Sequence, residues 1–275
     1  MGTHNVPLFH HSITPGSLRM CLILLAIQKH PHYKLILAAN RDEYYDRASE
    51  SAHFWEDAPD VLAGRDLVGK GTWFGITRSG RIAAVTNYRD PASVKAKAPS
   101  RGKLAGDFLS KTVEAEAYLK GIRAEKDRYN GFNLLLGNGE SLYWYSNRAD
   151  QIAALSQGVY GLSNHLLDTP WPKLERAKSL FKAILRAGAE LSPEVLFELL
   201  HDPAKAPDDK LPRTGVPLEW ERILSPIFIK SSTYGTRAST IVLIDRENHV
   251  TFFERTFSAD PEPVSTAHFE FNLEN

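Results

Sequence analysis

Apolar positions along this chain come in short runs rather than long ones. Cys21–Gln28 and Tyr33–Ala39 are two such runs, separated by Lys29-His30-Pro31-His32. They predict two buried strands joined by a turn. The second run stops at Asn40-Arg41-Asp42-Glu43, an abrupt polar cluster at a strand end. Glycines at 64, 69, 71, 75 and 80 then punctuate a β-rich stretch, in which Trp73–Arg78 and Arg81–Tyr88 flank Ser79-Gly80 as a tight hairpin. From Arg101 to about Asp127 the period turns helical, with Leu104, Phe108, Leu109, Tyr118, Leu119 and Ile122 on apolar faces. Phe132–Leu136 and Leu142–Tyr145 form a second hairpin around Asn138-Gly139, and Val159–Leu162 is a further strand.

Two helices follow. One opens at Pro172 and runs to about Arg186, and the other spans Pro193 to about His201. A polar loop rich in Pro and Asp covers 203–216, long enough to suggest a functional surface or a lid. Ala238–Ile244 and Val250–Glu254 close the pattern as two strands, and the tail after Ser258 is assigned no role. Strands and helices alternate in blocks, no linker or repeat divides them, and the hairpins imply mostly antiparallel pairing. The expectation is one layered α+β domain over residues 20–258, preceded by an N-terminal extension (1–19) and followed by a C-terminal tail (259–275).

Composition narrows the function classes. Lys plus Arg number 33 and so do Asp plus Glu, which gives no basic field for nucleic acid. The apolar run at 21–27 is too short to span a bilayer, so no integral membrane segment is expected. A single cysteine excludes an intrachain disulfide and fits a reducing, cytoplasmic compartment. Residues 1–19 lack an apolar stretch and make a poor signal peptide. They read as an over-extended start or a cloning remnant, poorly ordered, with a cleaved pro-segment as the functional alternative.

Several motifs dissolve on inspection. Gly64 to Lys70 nearly matches a phosphate-binding loop, but Gly71 replaces the required hydroxyl residue and a strand, not a helix, follows. His30 and His32 lie in a turn with no further ligand at metal spacing. His53 and His165 lie near polar strand ends, with no partner that the sequence names. Trp55, Trp73, Tyr88, Trp144 and Trp171 have no interleaved basic residues and read as core or pocket wall.

Cys21 directly follows Met20. Taken alone, a lone cysteine heading an apolar strand is more often a small buried hydrophobe. A mature start at Cys21 would instead place a thiol and a free α-amine on one residue, a nucleophile with its own base. Polar residues at other strand ends supply the rest of a thiol amidohydrolase inventory: Arg41 and Asp42, Asn87, Asn164, and Arg237 at the opening of a late strand.

Met20-Cys21-Leu22-Ile23, Ala39-Asn40-Arg41-Asp42-Glu43, Ala63-Gly64-Arg65-Asp66, Gly71-Thr72-Trp73-Phe74-Gly75, Thr86-Asn87-Tyr88-Arg89, Tyr129-Asn130-Gly131-Phe132-Asn133, Leu162-Ser163-Asn164, Pro170-Trp171-Pro172-Lys173 and Tyr234-Gly235-Thr236-Arg237 resemble the NRDE family, also called the Transport and Golgi Organization 2 family. The resemblance runs from about Met20 to Glu254. It implies an N-terminal nucleophile hydrolase fold, a four-layer αββα sandwich, and a natural start at Met20. A more distant similarity, to bile-salt hydrolases and penicillin V acylases, implies catalytic roles for Cys21, Arg41, Asp42, Asn87, Asn164 and Arg237. The adjacency of Arg41 and Asp42 departs from that group, where the two are separated.

On this resemblance Cys21 attacks an amide or (thio)ester of a small-molecule acyl substrate. Its α-amine is the base, Asp42 holds the thiol or amine in line, and Arg41 or Arg237 favours the thiolate. Asn87 donates to the oxyanion, and Asn164 orients the amine or substrate. No cofactor or metal is implied. Eukaryotic members are associated with haem trafficking and acyl-CoA or lipid homeostasis. A non-catalytic carrier of haem or acyl-CoA, with Arg41 and Arg237 pairing the ligand's acidic groups, is the competing expectation.

Overall fold

The structure, a computed structural model, describes residues 20–188 and 191–274; the expectation for residues 1–19 lies outside the described residues. Two antiparallel sheets carry the fold. The first has the order β10-β1-β2-β11-β12-β13, built from Met20–Ile27 (β1), Tyr33–Tyr44 (β2), Gly158–Leu162 (β10), Tyr234–Asp245 (β11), His249–Phe257 (β12) and Pro263–Asn272 (β13). The second is a seven-stranded meander from Ser49–Trp55 (β3) through Ala58–Asp66 (β4), Phe74–Thr77 (β5), Ile82–Asn87 (β6), Phe132–Gly137 (β7) and Leu142–Ser146 (β8) to Gln151–Leu155 (β9).

Alternation along β1 and β2 explains the layers. Ile23, Leu25, Ile27, Leu35 and Leu37 project between the two sheets, against Leu62, Phe74 and Leu135 of the second. The intervening residues Leu22, Leu24, Ala26, Ile36 and Ala38 project the other way, onto Leu174, Phe181, Leu196 and Leu200 of the helices Pro172–Arg186 (α3) and Pro193–Leu200 (α4). Both strands therefore carry unbroken apolar runs, 22–27 and 35–39, as strands buried on both faces do. The outer face of the second sheet packs on Gly102–Leu109 (α1) and Ala115–Ala124 (α2) through Phe108, Leu119, Phe132 and Leu136. Three apolar interfaces separate four layers, the αββα sandwich of the N-terminal nucleophile hydrolase fold.

The elements differ from expectation at identifiable points. The single helical stretch at 101–127 is two helices, interrupted after Leu109, where the Ser110 hydroxyl bonds back to the Gly106 carbonyl at 3.0 Å. Asn40 to Glu43 do not lie beyond a strand. They sit inside β2, paired with β1 on one side and β11 on the other. The polar tail contains β13, whose ladder with β12 completes the first sheet. The 203–216 segment buries Leu211 and lies by Trp171 and Lys173 of the α3 side, contributing nothing to the wall of the cavity beside Cys21.

One buried acid ties the sheets together. Glu254 on β12 accepts from the Ala52 N–H of β3 at 2.6 Å and from the Thr240 hydroxyl at 3.1 Å. Burial pushes its carboxyl up to about 7 against those bonds. The folded chain thus keeps a proton that the unfolded chain has already lost, and this contribution to stability fades as pH rises from about 4.5 to 7. Glu254→Gln keeps an acceptor for Ala52 and a donor for Thr240. It is expected to raise the melting temperature relative to the parent more at pH 8 than at pH 5; a gain confined to pH 5 would contradict this.

Candidate active site around Cys21

A polar cavity of about 60 Å³ opens where β1, β2 and β6 end. Its wall includes Cys21, Arg41, Asn87, Trp73, Glu43 and Asp66, with Arg101 and Gly102 from the start of α1. Register brings the first pair together: Cys21 faces Arg41 across the β1–β2 ladder. Both occupy the phase of the pleat that carries Ile23 and Ala39 into the space between the sheets.

Asn164, just beyond β10, joins Cys21 to Asn87. Its side-chain oxygen accepts from the Cys21 backbone N–H at 3.3 Å, and its amide donates to the Asn87 carbonyl at 2.9 Å. Ser163 adds a hydroxyl bond to the Cys21 carbonyl at 3.1 Å. The Asn164 carbonyl accepts from Arg89 N–H at 2.7 Å. The residue is fully buried, so its amide is fixed from several sides.

Asp42 takes the opposite pleat phase from Arg41 and is fully enclosed. Its Oδ1 accepts from Thr236 at 2.6 Å, and Lys173 of α3 lies 3.8 Å from Oδ2. That second oxygen is buried without a hydrogen-bond partner among the described residues. Burial pushes the Asp42 carboxyl up to about 6, against the pull of Lys173, Thr236 and Arg41. Burial pulls the Lys173 ammonium down, and Asp42 opposes it. The Cys21 thiol is driven up to about 12 by burial and then by the Asp42 charge; Arg41 and the Asp42 backbone N–H oppose this. With a peptide bond on its nitrogen, Cys21 is therefore a protonated thiol.

Five of the six residues expected at the site converge here. Arg237 does not. Its position falls at a bulge, where the β11–β2 register shifts between Thr236 and Ala238. Its guanidinium donates to the carbonyls of Tyr44, Tyr45, Arg47 and Phe257, so it clamps the exit of β2 and stays out of the cavity wall. His165 is occupied by Tyr88 and Thr169 at 2.6 and 2.9 Å. Lys173, buried under Asp42, is a site residue that the sequence does not single out, although it stands in the Trp-Pro-Lys motif. A lysine in the first turn of an amphipathic helix ordinarily faces water, and only the packing of α3 on β1 turns this one inward.

Comparison with known proteins agrees with this geometry. A family profile described as Transport and Golgi organisation 2 matches residues 20–259. Transport and Golgi organization protein 2 homologs of Bos taurus and Homo sapiens are 39% and 37% identical to the chain, each alignment covering 93% of it and 100% of the relative. The Drosophila melanogaster Transport and Golgi organization protein 2 is 32% identical over 93% of the chain and 99% of its own length. Among solved structures, a mutant of conjugated bile acid hydrolase from Clostridium perfringens superposes with a TM-score of 0.50 at 9% identity, covering 94% of this chain and 93% of that one. The chain belongs to the Transport and Golgi organisation 2 family.

Proposed function

We propose that this member of the family is a hydrolase whose nucleophile is Cys21 once that residue carries a free α-amine, and that it cleaves an amide or (thio)ester of a small acyl compound. The observation that carries the reading is the Asn164 bridge: one side chain fixes the nitrogen of Cys21 and the backbone of Asn87, on a cavity that both residues line. The fold, shared with a hydrolase, supports the same reading.

The chemistry then follows from the residues. The α-amine, with an ordinary pKa of about 7.7–8.0, takes the thiol proton as Sγ bonds to the carbonyl carbon. Asn164 Oδ1 and the nearby Asp42 charge favour the resulting ammonium. Arg41, whose charge favours the thiolate, offsets part of the burial that holds the thiol protonated. The oxyanion is received by Asn87. As the C–N or C–S bond breaks, the ammonium returns its proton to the leaving group. Water then attacks the thioester, the same amine accepts its proton, and Cys21 is regenerated with release of the acid.

The direct test uses a chain beginning at Cys21 and an activated acyl thioester. Intact-mass analysis should find one acyl group, located on Cys21. A chain that stays unmodified across a panel of short acyl donors would sink the proposal. Asn87→Ala is expected to lower kcat by about 10²–10³ with KM little changed, the usual loss for one oxyanion donor. An unchanged kcat would remove Asn87 from this role.

A further inference from the structure

The geometry points to a substrate class for this cavity: an acyl group that ends in a carboxylate, received by the Arg41 guanidinium. The inference rests on the Cys21 reading above and adds what the acyl group must look like.

The cavity holds about 60 Å³ with Met20 still attached, room for the end group of a ligand.

Charge sets the end group. Arg41 is 6% exposed and lines the cavity. Among the described residues it has no carboxylate within ion-pair distance; its one hydrogen bond is a long one, 3.4 Å to the Ser49 hydroxyl. The guanidinium lies 4.2 Å over the Trp73 ring. Three acids share the cavity wall: Arg47 engages Glu43 at 3.4 Å and Asp66 at 2.7 Å, and Asp42 is held by Thr236 at 2.6 Å with Lys173 at 3.8 Å. Asp66 also accepts from the N–H groups of Val68 and Gly69. Arg101 at the rim donates to the Gly131 carbonyl. A cation buried this deeply is ordinarily paired.

A guanidinium can only donate. A carboxylate offers it lone pairs and neutralises its charge. A neutral acyl group would leave the charge unpaired. Asp42, also on the wall, keeps its unpartnered Oδ2 on the Lys173 side.

Malonyl and isovaleryl N-acetylcysteamine thioesters make a matched pair, since both acyl groups have the same branched shape and differ in the terminal carboxylate. With the chain beginning at Cys21, kcat/KM is expected to favour malonyl by about 10²-fold or more. Arg41→Met should erase that ratio. Equal rates for the two esters overturn the substrate class and leave the hydrolase reading intact. Malonate and isovalerate provide a readout independent of turnover. On the Cys21→Ala protein, malonate alone should raise the melting temperature, and Arg41→Met should abolish the rise. Malonate binding without hydrolysis of either ester would uphold the receptor and sink the hydrolase; no hydrolysis and no malonate effect would overturn both.

Discussion

Cys21→Ala, in a chain that begins at this residue, is expected to cut turnover of an acyl substrate by roughly 10⁴-fold or more and to leave the fold unchanged. The alanine removes the only atom that can bond to the acyl carbon. It disturbs little else, because the Asn164 and Ser163 bonds go to the Cys21 backbone. The companion comparison leaves the thiol in place and keeps Met20 attached. At about pH 7.5 a thiol with a pKa of about 12 is ionised in only about one molecule in 10⁴–10⁵. Losing the attached base should therefore slow acylation by about 10²–10⁴. Initial rates and mass analysis of the two forms check both statements. Equal acylation of the Met20-bearing and Cys21-first chains would show that some other group takes the proton.

The largest effect on stability is expected at Glu221, in the helix Leu218–Ile223 (α5). Its carboxylate pairs with Arg89, and both side chains are almost wholly enclosed. It also accepts from the Thr214 hydroxyl. Glu221→Ala would remove this buried ion pair and leave the Arg89 guanidinium against Trp171, at a cost of about 3–5 kcal/mol. Urea denaturation followed by tryptophan fluorescence measures the loss. Glu221→Gln, which keeps one acceptor for Arg89, should lose less. A change below about 1 kcal/mol for the alanine would mean that water reaches Arg89. The Arg89 N–H also supports the Asn164 carbonyl, so the alanine variant should weaken the amine anchor as well.

Much of this is written in local sequence. The strands β1 and β2 are legible because both faces are buried, which leaves unbroken apolar runs. The helices α3 and α4 announce themselves through Pro172 and Pro193 in their first turns. Cys21, Arg41, Asn87 and Asn164 stand out as polar residues at strand ends. What escapes depends on contacts distant in sequence. Asn40 to Glu43 look like a terminus, but pairing on both sides by β1 and β11 holds them in the sheet. Arg237 carries the right chemistry, yet a register shift points it at backbone carbonyls. β13 is largely exposed at a sheet edge, and its alternation is too weak to distinguish it from a tail. Lys173 is invisible because nothing local says which side of a helix will meet a carboxylate.

The position of β1 also sets a clock. It is made before every other strand of its sheet, yet it lies inside that sheet, between β2 and β10, and the partner of Ile23 is Leu162. While the ribosome is still making that partner, Cys21 has neither its Asn164 acceptor nor a closed ladder. Met20 and Cys21 themselves pair with Asp42 and Arg41 of β2, the next strand made. If Cys21 acts through a free amine, as proposed above, the arrival of β10 is the step that brings Asn164 to that amine.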